Sequence, residues 1–271
     1  MQNVKQRYRY SAILLRELVI TDFKLRYHGS VLGYIWSLLR PLALFAILYV
    51  VFVWFLRVGE GVPHYPIYLL LGIVLWNYFA EVTNNGVSAI LGRGDLIRKI
   101  NFPKYVIVLS GSLSALINLG INLVVVALFM VVFGTELQPA ALIFVPLLII
   151  QLFVLALGVA FLLSALYVKF RDIGYIWEVF MQGAFYATPI LYPVTYVMEK
   201  AYWAAQLQML NPMAQIVQDI RYYMVTTDAI TIHTLFDNPL LTWLPVVLSG
   251  LIFWLGATYF KRQSRYFAEK V

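Results

Sequence analysis

The chain contains no cysteine, which excludes disulfides and thiolate metal sites. Charge is also scarce: 12% of its 271 residues are Asp, Glu, Lys or Arg, against about 25% in soluble domains. No Gly-Lys pair occurs, so there is no Gly-x-x-x-x-Gly-Lys-Ser/Thr loop to cradle the phosphates of ATP. His28, His64 and His233 lie far apart, without a His-Glu-x-x-His or a paired carboxylate motif, so enzyme signatures are absent. Low-complexity linkers and internal repeats are lacking too.

What the chain does have is apolar length. Hydrophobic residues make up 62%, and they gather into six stretches: Ser37–Phe55, Pro66–Thr83, Tyr105–Phe133, Ala140–Val168, Ile173–Leu191 and Leu240–Phe260. Each holds at most one charged residue and can cross a hydrocarbon core of ~30 Å at about 1.5 Å per helical residue. Threading the stretches alternately puts 17 of the 20 Lys and Arg on the side of the N-terminus. Only Arg57, Lys200 and Arg221 remain opposite. The positive-inside rule then places both termini in the cytoplasm of a multi-pass inner-membrane protein. The net charge of +7 is not a nucleic-acid signature, because the cations sit on one membrane face, where they meet anionic lipid head groups.

The expected fold is an all-α membrane protein with a single membrane domain over residues 1–271. Residues 1–36 hold a cytoplasmic interfacial helix over 12–27, with a stripe of Leu14, Leu18 and Leu25. Residues 37–260 form a six-span bundle, and 261–271 a cytoplasmic tail. The long external region 189–239 is neither apolar enough to span nor polar enough to be an ordinary loop. Pro189 and Pro193, in Thr188–Pro193, break the fifth helix at its outer edge. Asn211-Pro212 then reads as an N-cap with proline at the first helical position. Met213, Ile216, Val217 and Ile220 line one face of the helix that follows, which is expected at the external mouth either as an interfacial anchor or as a gate. On the cytoplasmic side, Asp95, Leu96, Ile97, Arg98, Lys99 and Ile100 form a short helix. Its apolar face of Leu96, Ile97 and Ile100 suits a membrane surface or a groove on a soluble partner.

Residues 26–41, Arg-Tyr-His-Gly-Ser-Val-Leu-Gly-Tyr-Ile-Trp-Ser-Leu-Leu-Arg-Pro, resemble the motif ahead of the first span in permeases of type-2 ABC exporters. The branch resembled exports lipid-linked cell-surface polysaccharides such as O-antigen, capsule and teichoic acid. The resemblance continues in order through Asp95–Pro103, Phe170-Arg171-Asp172-Ile173, Thr188–Pro193 and Asn211-Pro212. One departure is Arg40, where relatives often carry an uncharged polar residue before the proline. The resemblance implies a homodimer with a pathway between protomers, served by two copies of a separate ATPase that holds the ATP and Mg. No cofactor is expected in this chain. The interfacial helix and the 95–100 helix would seat on the ATPases, and the helices after Pro193 would gate the outer mouth.

A polyprenyl-diphosphate-linked glycan needs cations where it loads from the inner leaflet, and Arg26, His28 and Arg40 flank that position. Aromatic faces suit sugar C–H surfaces along the pathway: Tyr49 and Phe52 on the first span, Trp177, Phe180, Phe185 and Tyr186 on the fifth. Glu81 and Glu178 are intramembrane acids, functional unless they pair with Arg98 or Arg171. An ion-coupled secondary transporter or lipid flippase is the alternative. It would call for midplane acids or broken helices in repeated halves, which the sequence does not display. A membrane glycosyltransferase or acyltransferase lacks its acid/base pair.

Overall fold

The computed structural model describes residues 2–26, 33–100, 102–135 and 137–267, and among them all regular structure is helical. Helix α1 (Gln2–Arg26) lies against the start of α5 (Tyr105–Phe133). It packs there through Leu14, Leu15 and Leu18, while Ile13 stays exposed. The helix thus begins ten residues before the expected one. The first apolar stretch is α2 (Trp36–Tyr49) continued by a wider turn over Val50–Phe55. Helices α3 (Tyr65–Ser88), α5 (Tyr105–Phe133), α6 (Ala141–Lys169) and α12 (Pro239–Gln263) follow the second, third, fourth and sixth stretches. Helix α4 (Gly94–Lys99) lies between α3 and α5.

Helix α3 is the central post. Its most apolar stretch is 78% buried, whereas those of the other four long helices are 11–33% buried and present most of their surface outward. Helices α2, α5, α6 and α7 (Ile173–Ala187) all pack against α3. Lipid tails give apolar helices little reason to associate, so close approach depends on small residues and polar contacts. Both occur between α6 and α12. Gly158 and Gly256 bring the two backbones together, and Gln151 Nε2 reaches Ser249 Oγ at 3.3 Å.

The fifth apolar stretch departs from expectation. Helix α7 stops at Ala187, so it is 15 residues or about 22 Å long, and among the described residues five helices have the length and composition to cross a membrane. The cause is Pro189: it drives the preceding Thr188 to extended backbone (φ −88°, ψ 137°), which ends the helix four residues before the end of the apolar run. Thr188 through Leu191 continue as buried non-helical chain.

Beyond it, the external region folds into α8 (Val194–Lys200), α9 (Tyr202–Met209), α10 (Pro212–Met224) and α11 (Ile232–Leu235). Asn211 accepts from Met213 N at 3.0 Å, so the cap and proline start the helix as expected. The placement of α10 differs. At its start, Gln215 accepts from Gln151, ten residues or about 15 Å along α6. Near its end, the Tyr222 carbonyl accepts from Gln138, before α6 begins. The helix therefore runs alongside the first part of α6, with its start packed inside the bundle. Met213, Ile216, Val217 and Ile220 are 0–3% exposed, packed on the chain's own helices rather than covering lipid or an open mouth.

Candidate functional site

Two cavities flank α3. The larger, about 730 Å³, lies between α2, α3 and α5. Helix α3 gives it Asn77, Glu81, Asn84 and Asn85, one helical face at i, i+4, i+7 and i+8. Helix α5 adds Asn118 and Asn122, again one turn apart. Asn118 donates to Glu81 at 3.0 Å, and Asn122 donates to the Asn118 carbonyl at 2.8 Å. Helix α2 contributes Arg40, with Trp36 one turn before it. The smaller cavity, about 480 Å³, lies between α3 and α7 and includes Glu178, Gln182, Phe185 and Tyr186. Asn84 lines both.

Arg40 is thus placed on a polar cleft. His28 lies outside the described residues, and of Arg26 only the backbone is described. Glu81 is held by Asn118 rather than by Arg98, whose partner is Asp95 at 3.3 Å. Glu178 is exposed on α7 and lines the smaller cavity. The aromatic residues separate into two groups. Tyr49 and Phe52 pack on the bundle from α2, and Tyr49 lies 5.7 Å from Phe45. On α7, Trp177 stacks on Phe180 at 5.1 Å and Phe185 meets Tyr186 at 5.3 Å. Phe180 and Tyr186 are 57% and 66% exposed, so α7 turns an aromatic face away from its own bundle.

The cytoplasmic helix requires a revision. Ile97 is 5% exposed and belongs to the chain's own core, with Leu96 half-buried against it, so neither is presented to a partner. The outward side chains of that segment are Asp95, Arg98, Lys99 and Ile100. Ile97→Asp should accordingly destabilise the protein itself by about 3 kcal/mol or more, a charge being forced into an apolar site. Ile100→Asp, at a side chain 39% exposed, should leave the thermal midpoint of the purified protein near that of the unmodified chain. Equal midpoints for the two variants would put Ile97 back at the surface.

Several functional side chains lay beyond sequence reasoning. Arg93, in the turn leading to α4, forms an ion pair with Asp22 of α1, and the Ser110 hydroxyl of α5 donates to the same carboxylate at 3.2 Å. The interfacial helix, the cytoplasmic helix and the third span are joined at this one carboxylate. The asparagine face could have been found by testing polar residues, rather than apolar ones, for a 3.6-residue period.

Arg221 had been counted as an external charge, yet it is wholly buried. Its Nε donates to the Tyr68 carbonyl at 3.0 Å and its Nη2 to Ile190 O at 2.7 Å. Its Nη1 donates to Pro189 O and to Gln218 Oε1. The guanidinium carbon stands 3.5 Å from the centre of the Tyr68 ring. The Tyr65 hydroxyl donates to Leu191 O. The carbonyls freed where Pro189 breaks the helix are thus satisfied by Arg221 and Tyr65. Burial pulls the Arg221 pKa below the usual arginine value, and the facing Tyr68 and Tyr65 oppose that shift.

Two residues earlier on the same helix, burial raises the Asp219 pKa to about 6, against the opposing effects of the Gln215 hydrogen bond and of His233. The folded state therefore holds the Asp219 proton more tightly than the unfolded chain does. The resulting stability is present below the ordinary carboxylate value and is lost as pH rises through about 6. Thermal midpoints measured from pH 4.5 to 7.5 should fall across that window, and Asp219→Asn should flatten the fall. An unchanged slope in the variant would reject the assignment.

Comparison with known proteins follows the same segments. Residues 13–225 match the ABC-2 type transporter family. Over 268 residues the chain is 30% identical to the O-antigen export system permease protein RfbA of Myxococcus xanthus, covering 99% of this chain and 98% of that one. It is also 30% identical over 217 residues to the protein of the same name from Klebsiella pneumoniae, covering 79% of this chain and 82% of the relative. Together with the five long apolar helices, these matches mean that the chain belongs to the ABC-2 type transporter family of membrane-spanning permeases, which work with a separate ATPase subunit.

Proposed function

We propose that this protein is the permease of an ABC exporter that carries a lipid-linked polysaccharide, O-antigen-like in class, across the cytoplasmic membrane. The observation that carries the proposal is the similarity along 98–99% of both chains to a permease named for O-antigen export. The active unit is a homodimer with two ATPase copies beneath it and both termini in the cytoplasm. Helix α7 makes the sixth crossing together with the buried chain through Leu191. Six crossings gather 17 of the 20 Lys and Arg on one side, which supports that reading. A second copy would bring the outward aromatic face of α7 to the exposed face of α2, where Ile47, Val51 and Trp54 are uncovered. The cargo's diphosphate loads near Arg40. The ATPase meets the outward residues of α4, and the Asp22–Arg93 pair carries its movement to α1.

Deleting this permease from its host should remove the surface polysaccharide and leave the lipid-linked glycan inside the cell. Restoring export should require both this chain and its ATPase. A surface polysaccharide that persists unchanged in the deletion strain would overturn the reading.

A further inference from the structure

We propose that the cleft between α2, α3 and α5 is a saccharide-binding site, one in each protomer, that takes the sugar nearest the lipid diphosphate before translocation. The proposal rests on the export reading above and adds to it which part of the cargo is recognised and where. A cavity of about 730 Å³ falls within the range of small-molecule sites, roughly 300–1,000 Å³. It begins beside Trp36 at the cytoplasmic end of α2 and extends to Asn77 and Asn122, near the middle of their helices.

Its lining selects among ligand classes. An acyl or prenyl chain has no use for five carboxamides, and burying them against it would strand their donors and acceptors. A dianionic phosphate would meet a single cation, Arg40, together with the acid Glu81. A metal ion would find no cluster of His, Asp and Glu among the described residues. One cation and one acid leave the lining close to neutral. Carboxamides both donate and accept, which matches hydroxyl groups that do the same.

Tyr78, 2% exposed, contributes to the wall of the cleft. Trp36, 48% exposed at the mouth, offers an apolar ring for the C–H face of a sugar. Arg40 stands beside it, where the diphosphate of a saccharide seated above would lie.

The test uses the complete permease–ATPase complex in lipid nanodiscs. The probe is lipid-linked glycan purified from cells lacking this permease. It is compared with its two mild-acid products, the free glycan and the glycan-free lipid diphosphate. The intact molecule should bind more tightly than either product. Asn77→Leu and Asn85→Ala should each weaken the intact glycolipid by about tenfold, as expected for the loss of a buried hydrogen bond to a ligand. Binding of the lipid diphosphate should hold constant. The Asn85 side chain is exposed in the protomer, so that variant decides the matter even if Asn77→Leu fails to fold. Unchanged glycolipid affinity in Asn85→Ala would overturn the proposal, and so would a parallel loss for the lipid diphosphate. Free glycan binding as tightly as the intact molecule would assign the cleft to a soluble sugar and overturn it as well. Deletion cells that accumulate no lipid-linked glycan would instead sink the export reading on which the proposal rests.

Discussion

Replacing Arg221 with methionine should leave little folded permease in the membrane, and what remains should melt far below the unmodified protein. Three main-chain carbonyls, of Tyr68, Pro189 and Ile190, would lose their donor inside a site closed to water. Each unsatisfied group costs about 1–3 kcal/mol, and the total, on the order of 5 kcal/mol, rivals the whole stability of an ordinary domain. Arg221→Lys should recover only part of the loss, because one ammonium nitrogen with three donors cannot span the acceptors that the planar guanidinium reaches from three nitrogens. Gly72→Ala should reproduce the defect without touching the arginine, since a Cβ there would sit 2.3 Å from Arg221 Nη2. Arg57, another cation on the external side, supplies the contrast. It is exposed, and its pair with Glu60 is worth at most about 1 kcal/mol, so Arg57→Met should be nearly silent. Yield and thermal midpoint by fluorescence-detected size-exclusion chromatography would separate these cases. An Arg221→Met protein that matches the unmodified one on both would show that the broken helix is held by something else.

The apolar spans were legible because a membrane reads little besides length and hydropathy. Residues Tyr105–Phe133 form one helix with the limits the sequence suggests, since no polar residue interrupts its ends. The apolar run of the second span ends at Thr83, where Asn84 and Asn85 follow. They remain helical to Ser88 because their side chains face the polar cleft rather than lipid. The start of α10 was legible from Asn211-Pro212, a local cap. Its burial was not, because amphipathicity gives the face that is covered and not what covers it. Arg40 was found from its position beside a span. The asparagines that share its cavity come from helices some thirty to eighty residues away in sequence, and no local pattern joins them. Arg221 was misjudged for the same reason. Its partners are carbonyls of α3 and of the break after α7, and backbone carbonyls leave no trace in a sequence.

Introducing valine at Gly256 should separate the fourth and sixth spans and abolish export, whereas alanine at Gly250 on the same helix should do neither. A Cβ at Gly256 would lie 2.1 Å from the Gly158 carbonyl oxygen, and one at Gly158 would lie 2.5 Å from Phe253 Cα. Both obstacles are main-chain atoms of packed helices, so no rotamer change can relieve the clash and the helices must part. Parting exposes Ser249 and Gln151 and loosens Phe161 from Phe260, whose rings stand 5.0 Å apart. It also removes support from α10, because Gln151 donates to Gln215 at 2.8 Å. Overpacking alone costs about 1–3 kcal/mol, and the lost polar contacts add to it in a medium where water cannot replace them. A Cβ at Gly250 meets nothing within 4 Å, and alanine is the better helix former there. The paired measurement is thermal midpoint in detergent together with surface polysaccharide in complemented deletion cells. Equal midpoints for Gly256→Val and Gly250→Ala would mean that the close seam between α6 and α12 does not hold the bundle together, and α10 would then need another support.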